Sequence, residues 1–495
     1  MAPVKTQTPG TPVRELLFGD LWEYDPSPES ADPRIEPRYS LFIGGRFVAP
    51  KSRRYFDAVS PRNEEKLSEI ALAGPADVDA AYAAASAAFP TWSRIPGAER
   101  GKYLFRIARL LQDRAREFSV AETLDSGKPI REARDLDVPM AAAHFFYHAG
   151  WADKLEYVAP GRRLKPLGVV GQVIPWNFPL LMLAWKLAPA LACGNTVVLK
   201  PAETSSITAL KFAGLLLDAG LPAGVVNIVT GPGTTGSRVV AHPAAAKIAF
   251  AGSTEVGKTI QGELAGTGRR LSLELGGKGA NLVFEDAPME QAVEGVVNGI
   301  FLNQGQMRCA GSRLLVQESV AKLFLGKLCR RMDRLRVGDP LDKNTDVGAI
   351  HSRQQLERIC DLVKSGIEEG AEMRQSSCRL PGKGYYFAPT IFSEVTTSHR
   401  IAREEICGPI LSVLTFRTPE EAVEKANNTV YGLTAGVWTE KGARILKLAA
   451  QLKAGVVWAN TYHKFDPASP FGGCKESGFG REGGRQGLLE YADLV

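Results

Sequence analysis

Among seven cysteines in 495 residues, Cys309 is the one that adjoins small, turn-forming residues at the start of a strand-like run, in Gln306-Met307-Arg308-Cys309-Ala310-Gly311-Ser312-Arg313. A thiol on such a loop can be a nucleophile if its thiolate is stabilised nearby. Glu274, in Leu273-Glu274-Leu275-Gly276-Gly277-Lys278, precedes a Gly-Gly turn, where a base could activate water. Asn177, in Pro175-Trp176-Asn177-Phe178-Pro179, sits between a strand-like and a helix-like run and can aim its amide at a developing oxyanion. Two glycine-rich turns, Gly252-Ser253-Thr254-Glu255-Val256-Gly257 and Gly231-Pro232-Gly233-Thr234-Thr235-Gly236, offer free backbone N–H groups to a pyrophosphate. Lys200-Pro201-Ala202-Glu203 places an acid where it can accept hydrogen bonds from a ribose hydroxyl pair. Glu203 would repel a 2′-phosphate, which favours NAD over NADP. The loops Arg403-Glu404-Glu405-Ile406-Cys407-Gly408-Pro409 and residues 470–482 could line a cleft.

These residues need a scaffold, and the pattern from residue 168 onward supplies one. β-Branched runs at 168–174, 196–200, 225–229, 248–251 and 270–275 alternate with helix-like segments at 180–192, 206–219, 236–241 and 255–264, the signature of a doubly wound parallel sheet. Strand-like runs at 314–316, 411–416, 435–438 and 456–458 predict a second α/β domain. Before them, a strand pair is expected at 41–48 and helices at 75–89 and 98–116, behind an irregular, proline- and acid-rich arm over residues 1–40.

Bulk properties narrow the function. A chain of 495 residues exceeds the size of one growing core, so two or three domains are expected. The net charge of +6 comes from 60 basic and 54 acidic residues without massed runs, which gives no support for nucleic-acid binding. The longest apolar stretch, residues 178–193, is shorter than the ~20 residues a bilayer span needs, so no membrane association is expected. No secretory leader is visible, and the cytoplasm is the expected compartment. The cysteines are odd in number and never form a C-x-x-C pair, which argues for free thiols and against a metal site.

Taken in order over residues 175–482, P-W-N-F-P, K-P-A-E, G-S-T-E-V-G, E-L-G-G-K, N-Q-G-Q, E-E-I-x-G-P and P-F-G-G-x-K-x-S-G-x-G-R-E resemble the NAD(P)-dependent aldehyde dehydrogenase superfamily. The resemblance reaches back to Asp125-Ser126-Gly127-Lys128-Pro129, and residues 21–30 look like the leader of its family 16 branch. It implies a Rossmann-like NAD-binding domain over residues 41–146 and 166–277, a catalytic domain over 278–476, and oligomerisation segments at 147–165 and 477–495 in a homodimer or homotetramer. It implies that Asn177 helps hold the oxyanion and that Glu274 is the general base. Lys200 and Glu203 would hold the adenosine ribose, Ser253 a phosphate and Glu405 the nicotinamide ribose. Pro175, Trp176, Gly233, Gly252, Gly257, Leu275 and Cys407 would complete the cofactor site, and Phe178, Met182, Trp185 and Phe471 would line an aldehyde tunnel. The implied reaction is thiol attack on the aldehyde, hydride transfer to NAD and hydrolysis of the thioester.

One position departs from this pattern. The family motif G-Q-x-C, read onto Gly305-Gln306-Met307, puts Arg308 at the nucleophile position and Cys309 one residue later, with no gap on either side. Successive side chains usually point in different directions, so Cys309 is expected to need a local backbone change to reach the same aldehyde. Arg308 is expected to occupy the tunnel or pair with Glu274. Three readings stay open: an aldehyde dehydrogenase using Cys309, a pseudoenzyme that binds cofactor or partners without turnover, and a cofactor-independent hydrolase using Glu274 and Cys309. Cys407 also departs, standing where the family usually has Phe. The end at Val495 is early for the family, whose last strand normally completes a subunit-bridging sheet; this puts assembly in question or points to a longer tandem protein.

Overall fold

The computed structural model describes residues 26–495. Two sheets organise it. The first has eight strands in the order Gly478–Phe479, Arg270–Glu274, Ala245–Ala251, Val169–Val173, Thr196–Lys200, Val226–Ile228, Leu41–Ile43 and Arg46–Val48. Its five central strands are parallel, and Val169–Val173 and Thr196–Lys200 are buried along their whole length. That is why they read as continuous apolar runs rather than alternating ones. The second sheet has seven strands, with Ala280–Val283 and Arg313–Gln317 adjacent near its centre and only Glu372–Gln375 antiparallel. The doubly wound and second α/β arrangements expected from the sequence are therefore present.

The apolar stretch at 178–193 is the helix Pro179–Ala192, buried on every side. A helix without a polar face belongs inside a protein, and this one forms the floor of the site described below. Among the described residues no helix is long and apolar enough to cross a membrane.

Several boundaries differ from the sequence reading. The helix expected at 98–116 is two, Gly97–Asp113 and Ala115–Ser126, broken at Arg114, whose φ and ψ are -105° and 18°. The expected turn at 231–236 is already helical from Gly233 (Gly233–Ala241), because Pro232 presets the entry. Half of segment 21–30, which carries the family 16 resemblance, lies outside the described residues, at 21–25. The part of the arm that is described is irregular up to residue 37 but tied down. Glu29 N–H donates to Leu341 O over 2.8 Å, Arg116 holds the Glu29 carboxylate, and Arg38–Tyr39 pairs in parallel with Lys66–Ala71.

The expected segment 477–495 also divides. Gly478–Phe479 joins the first sheet beside Arg270–Glu274, whereas Ala492–Leu494 pairs with Leu164–Pro166 in a separate two-stranded ribbon. Residues 147–151 end the helix Val138–Trp151, which packs on Gly97–Asp113 and Pro179–Ala192.

Candidate active site

Strand order reverses between Val169–Val173 and Ala245–Ala251, since the chain fills one side of the first sheet before crossing to the other. Ligands bind at the carboxyl ends of strands at such a switch point. There the structure brings together Pro175, Trp176 and Asn177 from one strand end with Gly252 and Ser253 from the other. The helices Gly233–Ala241 and Thr254–Leu264 start beside them, so their first N–H groups are free of intrahelical partners. Ser253 Oγ accepts from Val256 N–H over 3.4 Å and caps the second helix. A Cβ on Gly257 would stand 2.4 Å from Leu275, whereas one on Gly233 would meet nothing within 4 Å, so Gly257 serves packing and Gly233 faces open space.

Lys200, buried at its strand end, pairs with Glu203 at 3.1 Å, and burial lowers its pKa. On the far side, burial raises the Glu405 carboxyl, and its Oε1 is a buried acceptor without a partner. Glu405 Oε2 would lie 2.4 Å from a Cβ on Gly276, so the carboxylate sits against that glycine. Cys407 adopts a left-handed φ of 51°, and its backbone carbonyl accepts from Gln355 Nε2 over 2.9 Å. Trp176 stacks on His351 at 4.4 Å. Two free helix starts, a Lys–Glu pair and an unpartnered acceptor are a donor and acceptor set that fits a dinucleotide.

The loop that carries Arg308 is held in a demanding conformation. Asn303, Gln304 and Gly305 have φ of 49°, 55° and +70°, a run each non-glycine member resists by roughly 1–2 kcal/mol. Hydrogen bonds from three directions impose it. Asn303 N–H donates to buried Glu132 over 2.9 Å, Asn303 Nδ2 to Asn177 O over 3.0 Å, and Gln304 Nε2 to Ala349 O over 3.0 Å. Asn177 Nδ2 donates to Gln306 O over 2.8 Å, which fixes the amide and leaves one N–H for another acceptor. Gln306 Oε1 accepts from His351 N–H over 2.9 Å.

Beyond the loop lies a cavity walled mainly by apolar side chains. The residues expected in a tunnel, Phe178, Met182, Trp185 and Phe471, all line it, with Asn177, Glu274, Arg308 and Cys309 also at its wall. Leu136, Leu181, Met307, Leu433 and Phe465 complete it and were not picked out from sequence. Leu181 shares a helix with Met182 and Met307 lies inside G-Q-x-C, so spacing and motif could have found them; Leu136, Leu433 and Phe465 come from separate segments without a motif.

Arg308 both enters this cavity and contacts Glu274. Nη1 donates to the Glu274 backbone carbonyl, Nη2 reaches Met182 Sδ at 3.6 Å, and Glu274 Oε2 lies 3.8 Å from Nη2. Glu274 is pushed up to about 7, first by burial and then by Glu482 nearby, against Lys186 and Arg308. Glu482 itself is held by Lys186.

Cys309 stands at the wall of the same cavity as Arg308. Residues 307–310 form a turn closed by Ala310 N–H donating to Met307 O over 3.1 Å, so the alternation of an extended strand does not apply. Burial pushes the Cys309 thiol up to about 12 despite the adjacent Arg308.

Behind Phe178 lies a buried charged cluster that sequence did not suggest. Lys128 Nζ bonds Asp137, lies 3.6 Å from Glu122 and stands 4.2 Å from the Phe178 ring centre. Among the described residues no group of three or more His, Cys, Asp or Glu is arranged to hold a metal. All seven cysteines are free.

Comparison with known proteins agrees with this geometry. Residues 47–495 match the model of the aldehyde dehydrogenase family. The chain is 43% identical over 480 residues to retinal dehydrogenase 2 of Homo sapiens, covering 94% of this chain and 92% of that protein. Among solved structures, the NAD+ complex of an aldehyde dehydrogenase from Bacillus cereus is 38% identical with a TM-score of 0.91, covering 95% of this chain and 99% of that one. An NAD-dependent aldehyde dehydrogenase from Sinorhizobium meliloti is 39% identical with a TM-score of 0.90, covering 94% and 96%.

Proposed function

This chain belongs to the aldehyde dehydrogenase family, and from that premise we propose that it binds NAD and an aldehyde-class ligand while Arg308 closes the covalent step. NAD is taken from the relatives solved with it or named for it and from the donor and acceptor set at the strand ends. Lys200 and Glu203 hold the adenosine ribose, Ser253 and the helix starts near Gly233 and Gly252 hold the pyrophosphate, and Glu405 holds the nicotinamide ribose. Pro175, Trp176, Gly257, Leu275 and Cys407 shape the walls. When bound, NAD supplies a hydride acceptor.

The observation that carries the reading is the placement of Arg308. Oxidation through a thioester needs a thiolate, a base and room for the carbonyl carbon within roughly 3–3.5 Å of sulfur. The guanidinium takes the room and faces the base, Glu274. With its thiol raised to about 12, Cys309 supplies little thiolate near neutrality. Asn177 keeps one amide N–H for a ligand oxygen, so the polar end of an aldehyde still finds a donor.

A second reading, aldehyde oxidation through Cys309, is favoured by that residue lining the same cavity as Glu274. Calorimetric titration with NAD, followed by NADH absorbance with aliphatic and aromatic aldehydes, separates the two. The first reading expects saturable NAD binding and no NADH; NADH that vanishes in Cys309→Ala overturns it in favour of the second. Self-association as a homodimer or homotetramer is proposed through the ribbon of Leu164–Pro166 and Ala492–Leu494, each of which has an unpaired edge.

A further inference from the structure

We propose that the cavity is a binding site for an apolar monocarboxylate, whose carboxylate pairs with the Arg308 guanidinium and whose tail lies among Phe178, Leu181, Trp185, Leu433, Phe465 and Phe471. This inference rests on the closed-site reading above and names the ligand class of that site. A neutral aldehyde needs a donor for one oxygen. A planar guanidinium offers a fork of donors with a permanent charge, which matches two carboxylate oxygens rather than one carbonyl.

Arg308 is held by its environment but not satisfied by it. One terminal nitrogen donates to a backbone carbonyl. The other has a thioether sulfur at 3.6 Å, a weak acceptor, and the nearest carboxylate oxygen at 3.8 Å, beyond hydrogen-bond length. The remaining walls are largely apolar, so a charged head without an anionic partner is costly there and a carboxylate that supplies one is favoured. Glu274 fills that role only in part: its nearest oxygen stands 3.8 Å away, and burial and Glu482 raise its carboxyl against the pull of Lys186 and Arg308. The free Asn177 amide N–H lies on the same wall and can donate to the second oxygen of the ligand.

The test uses the full chain saturated with NAD and isothermal titration of decanoate against decan-1-ol, two ligands with one tail and different heads. A charge-assisted pair predicts that decanoate binds roughly ten- to a hundredfold tighter. In Arg308→Met, which keeps an unbranched apolar side chain, the preference should vanish while decan-1-ol binding persists and reports an intact cavity. Equal affinity of the two ligands for the unaltered chain overturns the proposal without any variant. So does a carboxylate preference that survives in Arg308→Met. The closed-site reading fails by a separate signal, NADH formation from decanal, which leaves the head-group comparison to be decided by its own titration.

Discussion

A dipyridyl disulfide offered to the native chain should react with Cys309 about a hundredfold more slowly than with an ordinary thiol. The thiol of Cys309 is pushed up to about 12 by burial. Near pH 7.5 a group with that value is ionised to about 3 parts in 100,000, against about a tenth for a free cysteine near 8.5. That is a deficit of roughly three and a half decades. The more basic thiolate is intrinsically the better nucleophile, with a Brønsted slope of about 0.4–0.5, which returns roughly one and a half decades. About two decades of slowing remain before any steric hindrance from Arg308. Peptide-resolved mass spectrometry of quenched time points reads Cys309 and the exposed Cys360 together in the same sample. The Cys309 rate should also rise about tenfold per pH unit up to pH 10. A rate at pH 7.5 equal to or above that of glutathione, with a plateau below pH 9, would refute the reasoning, because it would show a thiolate stabilised as a catalytic one is.

Gly305→Ala should lose several kcal/mol of stability in urea denaturation, since its φ is +70° and a Cβ would stand 2.1 Å from Gly408 O; an unchanged midpoint contradicts this. Burial raises the Asp125 and Glu132 carboxyls to about 8, above unfolded values near ~4, so folding takes up protons and stability falls as pH climbs through that interval. The melting temperature should therefore be higher at pH 6 than at pH 8.5, and Asp125→Asn should flatten the difference; a parallel slope in the variant argues against it. Lys128→Met strips the cation from Asp137 and Glu122 and should destabilise by about 3–5 kcal/mol, read by chemical denaturation. Glu203→Gln removes the charge that disfavours a 2′-phosphate, so titration should show NADP binding strengthened relative to NAD; an unaltered ratio places the discrimination elsewhere.

How far the sequence led depends on which physics each residue obeys. The strands ending at Pro175 and Gly252 were legible because buried parallel strands are continuous apolar runs bounded by glycine and proline. Their motifs then fell at the switch point without further information. Phe178, Met182, Trp185 and Phe471 were legible through the family resemblance, and the cavity gathers all of them. Leu136 and Phe465 were not, because each comes from a segment distant in sequence whose approach is set by tertiary packing. The cluster around Lys128 was hidden for a different reason. Glu122, Lys128 and Asp137 have no spacing that marks a buried charge pair, and the π-helical turn Ala133–Asp137 brings Asp137 back onto Lys128.

The central claim is that a single side chain at position 308 stands between this scaffold and thiol chemistry. The most direct measurement is NADH production from a panel of aldehydes by the unaltered chain, by Arg308→Cys and by Cys309→Ala. The account predicts no turnover by the unaltered chain and NADH from Arg308→Cys, where a thiol replaces the guanidinium beside Glu274. Turnover by the unaltered chain that Cys309→Ala abolishes would contradict it and make Cys309 the nucleophile.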